Sequence, residues 1–342
     1  MTSIQETATN EPAVAGPRPD NSGGGTLLRI VEKYALVALT IGLVIFFSVW
    51  PKTAETFPTT ANIKILLASQ AVIGLIAVGV LLPLIVREFD LSIGSVAALS
   101  AILVVIMLTN GVPIVVAAVI GLVIGVVVGV VNAVITTYIG VSGIVTTLGM
   151  STIVLGIVMQ ITGGLAPTAD IPPSFTNIGN GTVLGLPIIF VVLLIVTAIA
   201  YFVLEHTPFG RQLYAAGSNP QAAALVGIGV GRLKVWAFII CGVMAALGGI
   251  LYVARAGGAD PRINSVFLLP ALAAAFLSAA AIRPGRYNVL GAIVAIYFLA
   301  VLNNGLSLAG APSYVSDYSN GIALIAGVAV AMLFRSRGKS ST

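Results

Sequence analysis

The amino-acid sequence predicts an all-α fold, a polytopic membrane protein of about ten transmembrane helices with a possible inverted 5+5 repeat. Three observations predict it. Of 342 residues, 58% are hydrophobic and only 8% are charged, against about 25% charged in a soluble domain. Apolar runs follow one another almost without break over residues 30–334. The chain also holds 38 Gly and 17 Pro. Glycine lets helix backbones approach in lipid, and proline kinks are tolerated there when neighbours satisfy the freed carbonyls.

Taken in order, residues 1–29 are polar and rich in Thr, Pro and Gly, without the basic-then-apolar order of a cleaved signal peptide. They read as a disordered cytoplasmic tail. A span needs about twenty apolar residues, and ten stretches come near that length: 30–50, 61–86, 91–108, 112–138, 143–162, 183–204, 231–254, 266–282, 287–306 and 318–334. Two of them, 91–108 and 266–282, are short and follow polar residues, as the start of a broken helix would. Residues 30–335 form the transmembrane domain, interrupted by a polar cytoplasmic segment at 205–230, and 336–342 form a second cytoplasmic tail.

Loop charge orients the helices. With both termini cytoplasmic, 12 of the 16 Lys and Arg residues lie inside, among them Lys33, Arg87, Arg211, Lys234, Arg283 and Arg286. Lys52, Lys64, Arg255 and Arg262 lie outside. This threefold excess follows the positive-inside rule and requires an even number of spans. Ten spans divide into two halves of five with opposite orientation, the arithmetic of an inverted repeat. The external loop 163–182 would separate them. The formal charge of +5 is accounted for by these loops and tails, so no nucleic-acid partner is expected. Localisation in a plasma (inner) membrane, multi-pass, follows.

Several features carry candidate function. Gly121, Gly125 and Gly129 repeat one turn apart on a single helix face, a device for close helix packing. Arg87 to Ser95 is dense in charge, and Asp90 or Ser92 is placed to cap a helix starting near Leu91. Two readings stand: a capped cytoplasmic hairpin, or a broken helix deep in the protein, where charge at membrane depth would imply function. Isolated polar residues sit in other spans, namely Gln70, Asn132, Thr146, Thr147, Gln160, Asn303 and Asn304. They bond across helix interfaces or, if several face one axis, line a path for hydroxyl-rich solutes. The scarcity of span carboxylates argues against a proton or sodium relay in a self-contained secondary carrier.

The segment 205–227 is too polar for hydrocarbon, since each unsatisfied backbone group there costs several kcal/mol. Pro208, Gly210, Gly217 and Pro220 punctuate it, and Asn219 is placed to cap a helix from Pro220. Gly217 and Gly227 are expected to make turns on either side, with Ala222 and Ala223 on an outward surface. No enzyme constellation occurs. His206 is the sole histidine and Cys241 the sole cysteine, and no GxxxxGK[ST] loop exists. The chain is therefore expected to bind no metal or cofactor and to hydrolyse no ATP.

Thr207-Pro208-Phe209-Gly210-Arg211, then Ala215 to Pro220, Ala222-Ala223 and Gly227-Ile228, resembles the cytoplasmic signature of ribose-type ABC importer permeases. These belong to the branched-chain amino acid/ribose permease superfamily. Phe89 to Ser95 resembles that family's second signature, and Leu302 to Leu306 its third. The resemblance covers roughly residues 61–330. It implies a permease dimer, homo- or heteromeric, a cytosolic ATP-binding-cassette ATPase that carries the ATP and Mg, and an extracytoplasmic solute-binding protein. It implies a monosaccharide or polyol as cargo, with an amino acid or other small polar solute as the alternative. The segment with Phe209, Gly210, Arg211, Gly217, Asn219, Pro220, Ala222, Ala223 and Gly227 matches the part that docks on the ATPase. The sequence departs from the family pattern at Phe267-Leu268-Leu269-Pro270-Ala271, at Ser278-Ala279-Ala280 and at Arg283-Pro284-Gly285-Arg286.

Overall fold

The computed structural model of the chain describes residues 23–167 and 171–339. A helix occupies each of the ten apolar runs. These are α1 (Gly23–Val49), α2 (Thr60–Ile85), α3 (Ile93–Thr109), α4 (Ile114–Val134) and α5 (Gly143–Thr162), with α4 continued by a single π-helical segment over Ile135–Ile139. A short helix, α6 (Pro173–Asn180), and a two-strand hairpin, β1 (Thr182–Val183) with β2 (Leu186–Pro187), lead to α7 (Ile188–His206). Two short helices follow, α8 (Pro208–Ser218) and α9 (Pro220–Leu225). The chain ends with α10 (Val230–Ala256), α11 (Asn264–Leu277), α12 (Val289–Leu308) and α13 (Tyr314–Lys339), and a 3-10 turn extends α11 over Ser278–Ala280.

By length and composition, six helices among the described residues are long and apolar enough to cross a membrane: α2, α4 with its π segment, α5, α7, α10 and α12. The apolar part of α1, α3 and α11 with its 3-10 turn are apolar but shorter. The chain is thus an all-α, multi-pass membrane protein. Boundaries differ from the sequence reading at both ends of the chain and at one internal run, with α13 beginning at Tyr314 and continuing to Lys339, into the expected second tail. Helix α1 starts at Gly23 and takes in part of the expected tail, while residues 1–22 lie outside the described residues. The run expected from Val183 becomes helical only at Ile188, because Leu184 and Gly185 adopt positive φ and turn the chain back into a hairpin.

α10 is the axis of the bundle, packed on α2, α3 and α4. α2 is buried from Ala71 to Ile85 and α3 over most of its length, whereas α4, α5 and α7 turn Val, Ile and Leu outward. Lipid tails are as apolar as these side chains, so small residues and close packing hold such a bundle together. The glycine ladder does this. A Cβ on Gly125 would meet the carbonyl of Gly242 on α10, and one on Gly129 would stand 2.7 Å from the Phe238 carbonyl oxygen. Backbone meets backbone here, which no larger residue permits.

The two short runs begin beside each other. α2 ends at Ile85, and a non-helical, largely buried stretch leads to the start of α3 at Ile93. A Cβ on Gly94 would stand 2.6 Å from the backbone oxygen of Asn264, the first residue of α11. The N-termini of α3 and α11 therefore meet.

Candidate functional site

The polar segment folds into two helices rather than one. Thr207 caps α8 by accepting from the Gly210 amide at 3.5 Å, and Asn219 Oδ1 caps α9 by accepting from the Ala222 amide at 3.1 Å. Both helices carry Pro in their first turn. There its missing N–H costs nothing. Leu213, Ala216 and Gly217 form the buried face of α8. Gly217 is helical, not a turn as expected, and its missing side chain lets α8 lie against the Ile85 carbonyl at the end of α2. Gly210 approaches the Leu204 carbonyl in the same way. Gly227 does make a turn, at φ 84°.

Ala222 is exposed as expected, but Ala223 is buried against the protein itself. The outward surface of this tip instead carries Leu225 and Val226, 88% and 76% exposed. Arg211 is also exposed and Phe209 half-buried.

Charged side chains that the sequence reading did not connect with this segment hold it to the bundle. Arg87 donates to the Ser218 carbonyl at the end of α8. The next residue, Glu88, pairs with Lys234 in the first turns of α10. On the other side, the Arg286 guanidinium stacks 3.5 Å over the Tyr214 ring of α8, and Tyr214 Oη donates to the Tyr287 carbonyl at 2.8 Å. Glu205, with its side chain only 10% exposed, pairs with Arg283 and lies 3.6 Å from Arg286. Burial pushes the Tyr214 phenol up, the charge of Arg286 opposes that rise, and Glu205 adds to it. The hydroxyl therefore stays protonated and keeps its role as donor. The signal for these contacts was already in the sequence, as charges of both signs at helix ends, but not their pairing.

Each clamp leads to one of the short helices. Arg87 and Glu88 begin the stretch that enters α3. Arg283, Arg286 and Tyr287 lie in the connection that leaves α11.

Asp90 is buried, only 2% exposed. It does not cap α3. Its Oδ1 accepts from the Ser92 amide at 2.9 Å and from Ser92 Oγ at 2.6 Å, an Asx turn that shapes the entry to the helix. Asn132 Nδ2 on α4 donates to Ser92 Oγ at 2.9 Å, and Thr147 Oγ1 on α5 accepts from the Leu91 amide at 3.0 Å. α4, α5 and the entry to α3 thus join at one buried polar node. Thr146 is buried nearby on α5, and its hydroxyl has no hydrogen-bond partner among the described residues.

Asn303 and Asn304 belong elsewhere. Asn304 and Asn62 exchange amide hydrogen bonds of 3.0 and 3.1 Å between α12 and α2. Asn303 donates to Asn320 of α13 at 3.4 Å. Gln70 is half-buried and Gln160 exposed, and neither joins either group. The polar residues of the spans therefore form two separate clusters rather than one line.

The described residues thus form a multi-pass helical bundle with a polar segment held to one end of it by hydrogen bonds and ion pairs. Comparison with known proteins identifies the family. Residues 62–334 match the family described as branched-chain amino acid transport system / permease component, and the chain belongs to it. It is 34% identical to the ribose import permease protein RbsC of Bacillus subtilis (strain 168), over 84% of this chain and 90% of that protein. It is 31% identical to the protein of the same name from Haemophilus influenzae, over 87% and 92% of the two chains. The autoinducer 2 import system permease protein LsrC of Photorhabdus laumondii is 28% identical, over 88% and 90%. No solved structure matches. The chain is thus a permease of the ABC-importer class and not an enzyme. In that class the ATPase activity lies on a separate chain.

Proposed function

We propose that this chain carries a small hydroxylated solute, a monosaccharide or related polyol, into the cytoplasm. ATP and Mg would be held by a cytosolic ATP-binding-cassette partner. An extracytoplasmic binding protein would deliver the solute, and a second permease copy would complete the membrane path. The cargo reading rests on the relatives, whose names specify ribose and autoinducer 2 import. Because the family description specifies branched-chain amino acids, an amino acid is the second reading. Ligand binding by the partner binding protein separates the two.

The observation that carries the coupling role is the α8–α9 segment. It presents an apolar tip, Ala222, Leu225 and Val226, while two clamps hold it to the bundle. Pressure on the tip would reach both α3 and α11. Their third place in each half, their shortness and their meeting N-termini support the inverted 5+5 repeat, a plan in which discontinuous helices lie at the repeat interface. Ten crossings with both termini cytoplasmic place the tip on the ATPase side. A cysteine at exposed Ser174 should then react with an impermeant thiol reagent from outside, and one at exposed Ser218 should not. The opposite pattern would overturn the orientation.

The coupling test uses the neighbouring alanines. Ala222→Arg, on the exposed tip, should leave a folded membrane protein that no longer retains or stimulates the ATPase. Wild-type stimulation in that variant would remove the tip from the interface. Ala223→Arg should instead lose folded yield, because the added charge enters a buried position.

A further inference from the structure

We propose that the crevice between α1, α7 and the start of α12, at the α8–α9 end of the bundle, binds the phosphate of an anionic phospholipid. Its volume is about 220 Å³, and its lining includes Lys33, Tyr201, Glu205, Arg283, Asn288 and Leu290. At about 30 Å³ per water-sized unit, that is room for a phosphate with part of its glycerol. Cationic groups enter from two sides, Lys33 on α1 and Arg283 in the connection from α11. Among the described residues of the wall Glu205 is the one carboxylate, and Arg283 and Arg286 already neutralise it, so Lys33 leaves these groups with a net positive charge. Val289 and Leu290, in the wall, are the first residues of α12. Their amides have no carbonyl partner within the helix and favour an anion.

The site is built before any ligand arrives. The Ile282 amide donates to the Lys33 carbonyl at 2.9 Å, fastening α1 to the connection. Asn288 donates to the carbonyls of Ser278, Ala281 and Arg286, and its Oδ1 accepts from the Gly291 amide. A preformed anion site loses little affinity to ordering.

The surroundings favour a lipid over a free phosphate. Leu290 forms part of the wall yet is 40% exposed, and Tyr34 and Phe202, each next to a wall residue in sequence, are exposed too. An acyl chain can therefore run along apolar surface while its head group reaches Lys33. Basic pockets between spans at the cytoplasmic face are suited to such head groups. The inference needs the chain to sit in a bilayer. It holds whatever solute is carried, so its failure would leave the importer reading untouched.

The test places the full-length chain in nanodiscs of phosphatidylcholine containing increasing phosphatidylglycerol, with retained lipid counted by native mass spectrometry. Phosphatidylglycerol should be retained about fivefold over phosphatidylcholine, and Lys33→Gln should remove most of that preference. Lys64→Gln, at the opposite end, should not change it. Leu290→Asn should weaken retention of the lipid. Equal retention of the two lipids, or an unchanged preference in Lys33→Gln, would overturn the proposal. Displacement of phosphatidylglycerol from the wild-type chain by millimolar inorganic phosphate would also overturn it, since that would mark a site for a free anion.

Discussion

At the α8–α9 end the helices are joined through charge, Glu88 to Lys234 and Glu205 to Arg283 and Arg286. At the opposite end they are joined through neutral amides, Asn62 to Asn304 and Asn303 to Asn320. The difference has a mechanical meaning. A neutral hydrogen bond weakens steeply with distance and angle, so an amide pair fixes one geometry. Charge attraction falls only as the inverse of distance, so an ion pair holds its partners through small displacements. The end with the exposed apolar tip is thus joined by contacts that survive motion. The far end is joined by contacts that resist it, helped by α6, where Gly179 lies against the backbone of Ala254 and Arg255.

The strongest way to break this comparison is at Gly217. Gly217→Val puts a branched side chain into the Ile85 carbonyl, and overpacking of this kind costs about 1–3 kcal/mol. Because the clash lies between α8 and α2, the expected outcome is near-complete loss of transport-coupled ATPase activity while the spans still insert. Reconstituted ATPase assays with and without binding protein check it. Wild-type coupling would mean that α8 need not sit against α2.

A smaller effect is expected from Arg286→Met, which removes the stack on Tyr214 and one of the two charges facing Glu205. Both arginine side chains are more than a third exposed, so the stability loss should stay near 1 kcal/mol, whereas coupled ATPase activity should fall several-fold. Arg286→Lys should restore charge but not the planar stack, and therefore rescue only in part. Equal loss of stability and coupling would reduce Arg286 to a structural residue.

The mildest effect should come from the far end. Asn62→Ala removes a reciprocal amide pair, a contact worth about 0.6 kcal/mol on average within membranes. The thermal midpoint should drop by a few degrees at most, with the ratio of stimulated to basal ATPase activity unchanged. A change in that ratio would erase the distinction between the two ends.

Much of this arrangement is legible in the residues. Apolar run length locates a helix in every long apolar run, because a bilayer core sets one length scale for spans, but it leaves out the short helices α6, α8 and α9. The glycine ladder on α4 announces close packing, and Asn219-Pro220 announces the start of α9, because both depend on neighbours in the chain. Asp90 was legible as important but not as an Asx turn, since its partner geometry depends on where α3 begins. Gly217 was misread as a turn, because a glycine that admits a neighbouring backbone has the same local sequence as one that bends the chain.

What the sequence by itself determined is therefore what local chemistry dictates: which long stretches are helical and apolar enough for lipid, and that Asn219 caps a helix. The tertiary structure alone decided which residues meet. Arg87 reaches the end of α8, Arg286 covers Tyr214, Asn304 faces Asn62, and α3 and α11 start nose to nose. These pairs are separated by up to 242 residues in the chain. Contacts of that span follow from how the helices pack together, and packing is a property of all their surfaces at once rather than of any stretch read alone.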